Sequence, residues 1–477
     1  MQKTILHRLK HRIEEISDFS PIRRLAKRAG VWSNKTARKA CRYLVYKYVE
    51  DSLLCRLLCN GGKMGLQDTV SGERLHIGFF GMRNAGKSSL VNKITGQQLA
   101  VVSDIKGTTT DPVKKAMELL PLGPVVIMDT PGLDDEGSLG ELRVEKTRQI
   151  LAQTDIAVLV VDASAGLGEQ DEELIRTFAE RKIPYLVVYN KVDLVLGQAA
   201  VLENEATDTA HGVSSENVVF ASTVTGEGIE KIKEKLGSFA REKQNPKLLI
   251  SDMIEQGDIV VLVTPIDESA PKGRLILPQQ LTIRDILDKH GIVVTCQDTQ
   301  LAQILCSLSK KPKMVITDSQ VFGKVSKDVP EDVPLTSFSI LMARYKGDLK
   351  ELVKGAAALS RLRDGDKVLI SEGCTHHRQC NDIGTVKMPN WMKEFTNADL
   401  EFSFTSGGEF PEDLSVYSVV VHCGGCTLNE AQMKHRIKRA VLVEVPIVNY
   451  GIAIAHMHGI LKRSVELFPD VYAVLEK

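Results

Sequence analysis

The sequence has no excess of positive or negative charge and no long apolar run, and each absence argues against a class of protein. Its 477 residues include 61 Lys and Arg against 61 Asp and Glu, so no net charge favours a polyanionic partner. No apolar run reaches the roughly 18 residues that a membrane-spanning helix needs. The basic N-terminus also lacks the apolar core of a signal peptide. We therefore expect a globular protein without a membrane anchor.

Cysteine is sparse as well. Nine cysteines, an odd number, are spread along the chain. A secreted domain held by disulfides would contain a denser set. Free thiols in a reducing, cytoplasmic environment are therefore expected. A chain of this length is expected to form about three domains.

Positive charge is concentrated near the N-terminus. Residues 1–63 hold fifteen Lys and Arg against five acidic residues. We interpret them as a basic N-terminal extension before Met64, where the first domain begins; contact with nucleic acid or an anionic surface is the alternative. An organellar transit peptide is disfavoured because acidic residues come early and serines are few.

The segment Gly81–Ser88, with the sequence GMRNAGKS, lies between the apolar residues 75–80 and a helix-like segment. It matches the phosphate-binding P-loop, G-x-x-x-x-G-K-S/T, in which a strand, a glycine-rich loop and a helix follow one another. The glycines allow backbone N–H groups to surround the β-phosphate. Lys87 would then contact the β- and γ-phosphates, and Ser88 would bind Mg²⁺.

Two further motifs would complete the phosphate side of the site. The D-T-P-G motif at 129–132 follows an apolar run, so Asp129 would hold Mg²⁺ through water and the Gly132 N–H would contact the γ-phosphate. The G-T-T-T-D motif at 107–111 lies where a switch loop would supply a Thr to Mg²⁺, and we assign this role to Thr109.

Two more motifs would bind the base. The N-K-V-D motif at 190–193 places a carboxylate at Asp193, which would accept two N–H bonds from guanine that adenine cannot supply. The loop containing Ser222 and Thr223 would meet the guanine O6, so GTP is expected rather than ATP. The predicted GTP-binding residues are Gly81, Arg83, Asn84, Ala85, Gly86, Lys87, Ser88, Ser89, Thr108, Thr109, Asp129, Gly132, Asn190, Lys191, Asp193, Ser222 and Thr223. The predicted catalytic residues are Lys87, Asn84, Thr109 and Gly132, and the predicted Mg²⁺ ligands are Ser88, Thr109 and Asp129.

Apolar runs alternate with helix-like segments from about residue 75 to 241. Strands are predicted at 75–80, 125–128, 156–161, 184–189 and 217–221, and helices at 88–95, 140–152, 169–181 and 228–240. This alternation predicts an α/β fold with a mostly parallel sheet, helices on both faces, and the motifs at the carboxyl ends of the strands. The predicted domains are a P-loop GTPase domain at 64–245, a small α/β dimerisation or spacer domain at 250–345, and a third α/β domain at 346–477.

The motif set resembles GTPases of the tRNA-modification (TrmE) and Era type. In potassium-activated members of that class, the residue at the position of Asn84 binds K⁺; a loop-shaping hydrogen bond is the alternative role here. Leu133 follows D-T-P-G in place of a water-orienting Gln. Since no arginine finger is evident either, a K⁺ near the phosphates would stabilise the transition state. The resemblance therefore implies slow hydrolysis of GTP to GDP and phosphate, stimulated by K⁺.

A second chemical signal lies in the third domain. The C-T-H motif at 374–376 follows the strand-like residues 367–370, and the C-G-G-C motif at 423–426 follows the strand-like residues 417–421. If the two strands are parallel neighbours, the three cysteines converge at one crevice. Three interpretations are open: a structural Zn²⁺ with three Cys and one His, an Fe–S cluster with an exchangeable fourth ligand, and a redox C-x-x-C, which would leave the C-x-H unexplained.

A GTPase domain joined to C-T-H and H-C-x-x-C motifs resembles the HydF family of FeFe-hydrogenase maturation GTPases over about residues 64–477. The resemblance implies a scaffold that holds a 4Fe–4S cluster in its third domain. By position, Cys374, Cys423 and Cys426 take the role of cluster ligands. His376 takes the exchangeable fourth position, with His377 and His422 as weaker candidates.

The same resemblance implies a cargo and partners. The protein would receive the two-iron precursor of the hydrogenase active site, the H-cluster, which is made with two radical-SAM maturation enzymes. It would then deliver this precursor to apo-FeFe-hydrogenase. The implied cofactors are GTP, Mg²⁺, K⁺ and the 4Fe–4S cluster, and a homodimer without nucleic acid or membrane contacts is expected.

The alternative function is an RNA-related GTPase for tRNA modification or ribosome assembly. In that case the cysteine domain would be a structural zinc module and residues 1–63 would bind RNA. The basic run Lys434–Arg439 is interpreted as a solvated helix face, with a docking patch for an acidic partner as the alternative.

Overall fold

The computed structural model describes residues 71–97, 113–130, 146–195, 214–243, 249–266, 275–373 and 382–476. The chain divides into two compact units, Met1–Asp68 and Thr69–Lys477. The first unit, with the basic extension 1–63, lies outside the described residues, so its interpretation stays a prediction. The second unit contains three sheets.

The first sheet has six strands in the order β2-β3-β1-β4-β5-β6. Its strands are β1 (Leu75–Phe80), β2 (Val113–Leu119), β3 (Gly123–Asp129), β4 (Ile156–Asp162), β5 (Tyr185–Asn190) and β6 (Val218–Phe220). β2 is antiparallel to β3, and the other pairs are parallel. The predicted α/β fold with a mostly parallel sheet is confirmed.

Helices cover both faces of this sheet. They are α1 (Lys87–Thr95), the helical residues 146–151, α2 (Glu169–Glu180) and α3 (Ile229–Lys243). Leu90 and Ile232 belong to the buried cluster on one face, whereas Ile150 and Phe178 belong to the cluster on the other. Because both faces are covered, the central strand β4 is apolar along almost its whole length.

β2 was not predicted from the sequence. It lies at the edge of the sheet, and its side chains at Lys114, Lys115 and Glu118 are exposed. Charged side chains on an edge strand discourage pairing with another chain. The same charges leave no apolar run from which the strand could have been recognised.

The second sheet has four parallel strands in the order β10-β9-β7-β8. They are β7 (Ile259–Val263), β8 (Ile292–Cys296), β9 (Met314–Thr317) and β10 (Leu335–Ser337). The accompanying helices are α4 (Leu277–Asp288), α5 (Leu301–Ser307), α6 (Phe322–Asp328) and α7 (Phe338–Lys346).

The third sheet is also parallel, in the order β12-β11-β13-β14. Its strands are β11 (Lys367–Ser371), β12 (Glu401–Thr405), β13 (Val419–His422) and β14 (Ile447–Asn449). Its helices are α8 (Leu349–Ala356), α9 (Met388–Thr396), α10 (Glu430–Leu442), α11 (Tyr450–Met457), α12 (Leu461–Val465) and α13 (Pro469–Tyr472).

The second and third sheets share one continuous cluster of buried apolar residues. Helix α8 packs closely on β14 because residue 355 is a glycine: a Cβ there would lie 2.0 Å from the carbonyl oxygen of Ile447. Within the described part of the chain, no helix is long and apolar enough to cross a membrane. The predicted boundaries between the three domains stay predictions.

Candidate functional site

The P-loop joins β1 to α1 through two glycines that no other residue could replace without a shift. Gly81 has φ +133°, and a Cβ there would lie 2.1 Å from the carbonyl oxygen of Val160. Gly86 has φ +90°, and its Cβ would lie 2.2 Å from Nδ2 of Asn190. Both residues therefore need the conformational freedom and the small volume of glycine.

The phosphate-side residues converge at the ends of two adjacent strands. Lys87 is buried and donates from Nζ to the carbonyl oxygens of Gly81 (2.8 Å) and Met82 (2.7 Å). Ser88 donates from Oγ to Oδ2 of Asp129 across 2.7 Å. Because β1 and β3 are parallel neighbours, the P-loop and the D-T-P-G motif begin at the same edge of the sheet.

Asp129 is suited to a divalent cation. Its Oδ1 is buried and has no hydrogen-bond partner among the described residues. Burial raises the pKa of the Asp129 carboxyl, and the hydrogen bond from Ser88 and the charge of Lys87 oppose this rise. A hydroxyl and a carboxylate beside the phosphate loop are oxygen ligands that suit Mg²⁺, so the residues present fit this ion.

The base-side motifs are held against the P-loop. Asn190 Nδ2 donates to the carbonyl oxygen of Ala85 across 3.0 Å, and this contact joins two motifs 105 positions apart. Ser222 is buried, and its Oγ donates to Oδ1 of Asp193 across 2.5 Å. Lys191 extends from a backbone with φ +66° to Asp162, with 2.7 Å between Nζ and Oδ2. The Asp193 carboxylate is thereby oriented for a base.

The remaining nucleotide-site predictions fall partly outside the described chain. Asn84, in the P-loop, is exposed and has φ +62°, a conformation that Asn tolerates better than most residues. Arg83 lies beside it, Ser89 lies in the first turn of α1, and Thr223 follows β6. Thr108, Thr109 and Gly132 lie outside the described residues, so their roles stay predictions.

The thiol motifs leave two paired strands. β11 and β13 are parallel neighbours, with Ser371 opposite His422. The Cys423 N–H donates to the carbonyl oxygen of Ser371 across 2.9 Å. The expected parallel pairing is present, so the segments carrying the two cysteine motifs start at the same edge of the third sheet.

Two backbone N–H groups point at the sulfur of Cys423. Gly373, which precedes Cys374 in the sequence, donates to this Sγ across 3.0 Å, and Gly425 donates across 3.3 Å. Burial raises the pKa of the Cys423 thiol to about 11, and these two N–H groups work against that rise. N–H groups aimed at a sulfur stabilise a thiolate, so their arrangement suits a metal-bound cysteine.

A buried ammonium fixes the Cys426 end of the loop. Lys346 is 1% exposed, and its Nζ donates to the carbonyl oxygens of Cys426 (3.1 Å) and Leu428 (2.9 Å). The same ammonium pairs with Glu73 Oε1 at 2.7 Å. Burial raises the pKa of the Cys426 thiol, whereas the charge of Lys346 lowers it. Lys346 thus ties the loop to the segment before β1.

His422 is engaged on both ring nitrogens. Arg436 is always a donor, so its Nη1 donates to Nε2 of His422 across 2.9 Å. The Nδ1–H of His422 must then donate to the carbonyl oxygen of Cys423, 2.7 Å away. Burial and the charge of Arg436 lower the pKa of His422 to about 3. In this arrangement His422 orients the loop and has no free nitrogen for a metal.

The described residues contain only part of the predicted ligand set. Cys374, His376 and His377 lie outside them, so their positions are untested. Within the described ranges, no group of three or more His, Cys, Asp and Glu side chains is placed to hold a metal ion. The assignment of Cys374, Cys423 and Cys426 to a cluster therefore stays a prediction.

Sequence comparison identifies the two C-terminal regions. A family model described as the hydrogen maturase F tetramerization domain matches residues 350–467, and one described as the hydrogen maturase F dimerization domain matches residues 249–347. The chain belongs to the hydrogen maturase F family. A third family model, described as a 50S ribosome-binding GTPase, matches residues 76–191, which contain the P-loop.

Individual relatives are similar to part of the chain. A tRNA modification GTPase MnmE from Nitrosomonas europaea is 32% identical over 171 residues, covering 36% of this chain and 36% of the relative. A GTPase Der from Clostridium perfringens strain SM101 is 32% identical over 173 residues, covering 35% of this chain and 39% of the relative. A solved structure of a probable GTP-binding protein engB shares 24% identity and has a TM-score of 0.31. The match covers 35% of this chain and 100% of the engB chain. The chain spans a little over a third of the length of the curated relatives it matches.

Several residues around both sites of this hydrogen maturase F family member were missed by the sequence analysis. Lys346, Glu73 and Asn429 contact partners 80 or more positions away, so no local pattern identifies them. Glu372, a buried carboxylate that contributes to the raised pKa of Cys423, also lies at the thiol site. Glu372 directly precedes Gly373 and Cys374 in the sequence, so its position beside the cysteine motif could have identified it.

Proposed function

We propose that the chain is a GTP-hydrolysing scaffold that carries a metal cofactor for FeFe-hydrogenase maturation. The observation that carries this proposal is the hydrogen bond from Gly373 to the sulfur of Cys423. It brings the residue before Cys374 to the thiol of the second motif, beyond two paired strands. Membership of the hydrogen maturase F family supports the same conclusion.

In the proposed nucleotide site, Lys87 leaves the loop carbonyl oxygens that it now contacts and binds the β- and γ-phosphates. Ser88 and Asp129 hold Mg²⁺ together with Thr109, and the N–H of Gly132 contacts the γ-phosphate. Asp193, oriented by Ser222, selects guanine. GTP hydrolysis is slow and is stimulated by a K⁺ ion that Asn84 helps to bind.

In the proposed thiol site, Cys374, Cys423 and Cys426 hold a 4Fe–4S cluster, and His376 takes the fourth position. Three thiolates and one weaker ligand match the chemistry of such clusters. When bound, the cluster would offer one iron whose ligand can be replaced by a bridging group such as cyanide. The chain itself contributes the N–H groups of Gly373 and Gly425, which stabilise the Cys423 thiolate.

Membership of the family supports a proposed cargo and proposed partners. The protein receives the two-iron H-cluster precursor with the two radical-SAM maturation enzymes and delivers it to apo-FeFe-hydrogenase. Two of the matched regions are described as dimerization and tetramerization domains, which supports assembly into an oligomer. We place these events in the cytoplasm, where free thiols persist.

Anaerobic reconstitution with iron and sulfide, followed by EPR of the reduced protein, tests the proposal. The wild type should bind about four irons and give a cluster signal. Cys423→Ser should lose both while GTP hydrolysis is retained. Cys306→Ser, at an exposed free cysteine on α5, is the matched control and should bind iron like the wild type.

Two outcomes would contradict the proposal. A protein that binds zinc but no iron, and that purifies with RNA, would favour the alternative of an RNA-related GTPase with a zinc module. Loss of GTP hydrolysis in Cys423→Ser would show that the thiol site and the nucleotide site are not separate.

A further inference from the structure

A cleft lies between the GTPase domain and α10, one of the helices that accompany the third sheet. Its volume is about 540 Å³. Arg148 and Arg181 line the cleft on the side of the GTPase domain. His435, Arg436 and Arg439 line it on the side of α10. No residue predicted for GTP, Mg²⁺ or cluster binding is among the residues that line it.

The cleft is strongly cationic. Among the described residues, no carboxylate forms an ion pair with any of its four arginines, although one acidic residue, Glu412, lines the cleft. Glu180 influences Arg181 without an ion-pair contact, and Glu412 accepts from Arg439 through its backbone carbonyl oxygen. Four like charges thus converge without a direct counterion from the described chain.

The arginines on α10 are fixed in place by uncharged groups. Arg436 is 1% exposed, and its Nη2 donates to the carbonyl oxygen of Gly407 across 2.7 Å. Arg439 donates to the carbonyl oxygens of Pro411 (2.7 Å) and Glu412 (2.5 Å). Both guanidinium groups also lie over the ring of Phe410, at 5.0 and 5.6 Å from its centroid. These contacts preorganise two cations without neutralising them.

The arginines on the GTPase side have open donors. Within the described residues, the side chains of Arg148 and Arg181 form no hydrogen bond and no ion pair. Each guanidinium carries five N–H donors in a planar fork that matches carboxylate and phosphate oxygens. The two free guanidinium groups and the two fixed ones line the same space.

The convergence is unfavourable in the absence of an anion. Burial lowers the pKa of Arg181; Glu180 opposes this, and the charges of Arg148 and Arg439 lower the pKa further. Burial and the surrounding cations lower the pKa of His435 to about 4, so this ring is neutral near pH 7. A bound anion would relieve the repulsion among these groups.

We propose that this cleft binds a small polyanion bearing phosphate or carboxylate groups. A volume of about 540 Å³ lies within the usual range of small-ligand sites, roughly 300–1,000 Å³. The ligand would contact both the GTPase domain and α10, and so would join the two. None of the proposed GTP or cluster ligands lines this cleft, although Arg436 also contacts His422 beside the cysteine loop. The proposed site goes beyond the proposed function.

The test is calorimetric titration of the full chain, loaded with Mg²⁺ and GDP so that the P-loop is occupied. Inorganic pyrophosphate is the phosphate probe and citrate is the carboxylate probe, both at low salt. At least one should bind with a Kd below 1 mM. In the double variant Arg148→Gln, Arg181→Gln the Kd should rise at least tenfold. Arg176→Gln, at an exposed arginine on α2 outside the cleft, is the matched control and should bind like the wild type.

The relative affinity of the two probes distinguishes a phosphate ligand from a carboxylate ligand. Failure of both probes to bind at low salt would overturn the proposal. So would equal binding by the wild type and the double variant, or an equal loss in Arg176→Gln. An acidic peptide that binds a hundredfold more tightly than either probe would identify the surface as a protein-docking site instead. None of these outcomes bears on cluster binding or GTP hydrolysis, which are tested separately.

Discussion

The side-chain amide of Asn429 donates to the carboxylate of Asp155 across 3.1 Å. The same carboxylate oxygen accepts from the N–H of His76 at the start of β1, 3.0 Å away. Asn429 is also the N-cap of α10, where its Oδ1 accepts from the N–H of Gln432. The strand that leads into the P-loop is therefore connected, through one carboxylate, to the helix that follows the Cys426 loop.

Replacement of Asn429 tests this connection. Asn429→Ser and Asn429→Asp both retain a side chain that caps helices well. The Asn429 amide also donates to the carbonyl oxygen of Gln153 across 2.7 Å. The Ser variant loses the bonds to Asp155 and Gln153 and should be destabilised by about 1 kcal/mol. The Asp variant places a second carboxylate against Asp155 and should lose about 2–4 kcal/mol. Urea unfolding measures both, and equal stability of the two variants would mean that the Asp155 contact contributes little.

Base selection should change at Asp193. Asp193→Asn replaces an acceptor of two N–H bonds with an amide that can also donate. GTP affinity should fall at least a hundredfold, whereas affinity for xanthosine triphosphate, which has a carbonyl in place of the exocyclic amine, should rise. Ser222→Ala removes the hydroxyl that orients Asp193 and should weaken GTP binding about fivefold. Fluorescent nucleotide titration measures both, and unchanged nucleotide preference in Asp193→Asn would refute the assignment.

The nucleotide site was largely predictable because each motif follows a strand of one parallel sheet. Gly81, Lys87 and Ser88 follow β1, and Asp129 ends β3, so adjacency of the strands brings them together. The same logic placed the two cysteine motifs at one edge, and the pairing of β11 with β13 agrees with it. Local patterns are sufficient when the topology is regular.

The contacts between sheets could not be predicted in this way. Lys346 and Cys426 are 80 positions apart, and Asn429 and Asp155 are 274 apart, so no periodicity links them. The basic run Lys434–Arg439 was expected to be a solvated face, and this was wrong for Arg436. Its guanidinium is buried because partners from β11, β13 and the loop after β12 surround it.

The K⁺ response should depend on the side chain of Asn84. GTP hydrolysis by the wild type should be faster in KCl than in NaCl. Asn84→Gly accommodates φ +62° without strain, so it removes the side chain and leaves the loop conformation intact. Its rate should be equal in the two salts. A variant that keeps the difference between KCl and NaCl would assign Asn84 a loop-shaping role only.

Lys346 should be important for stability. Lys346→Met removes an ammonium that pairs with Glu73 and donates to three carbonyl oxygens. Removing one partner of a buried ion pair costs about 3–5 kcal/mol. The double variant Lys346→Met, Glu73→Gln should recover part of this loss, because it no longer leaves a carboxylate without its cation. Urea unfolding of the wild type, the single variant and the double variant measures these free energies of unfolding. If Glu73→Gln lowered the stability of the Lys346→Met variant further, the pairing would be refuted.

Stability should fall in mild acid through His435. Its pKa is about 4 in the folded protein, below the ordinary value of 6.5, because burial and the charges of Arg181, Arg439, Arg436 and Lys438 disfavour protonation. The folded state therefore binds fewer protons, and the contribution is fully present above about pH 6.5 and is lost as the pH falls toward 4. The slope is at most about 1.4 kcal/mol per pH unit. Between pH 7 and pH 5, the free energy of unfolding should fall by about 1–2 kcal/mol more in the wild type than in His435→Gln. Between pH 8 and pH 7, where the ring is largely neutral in both states, the two proteins should change nearly alike. Parallel curves over the whole range would show that His435 is as easily protonated as a free histidine.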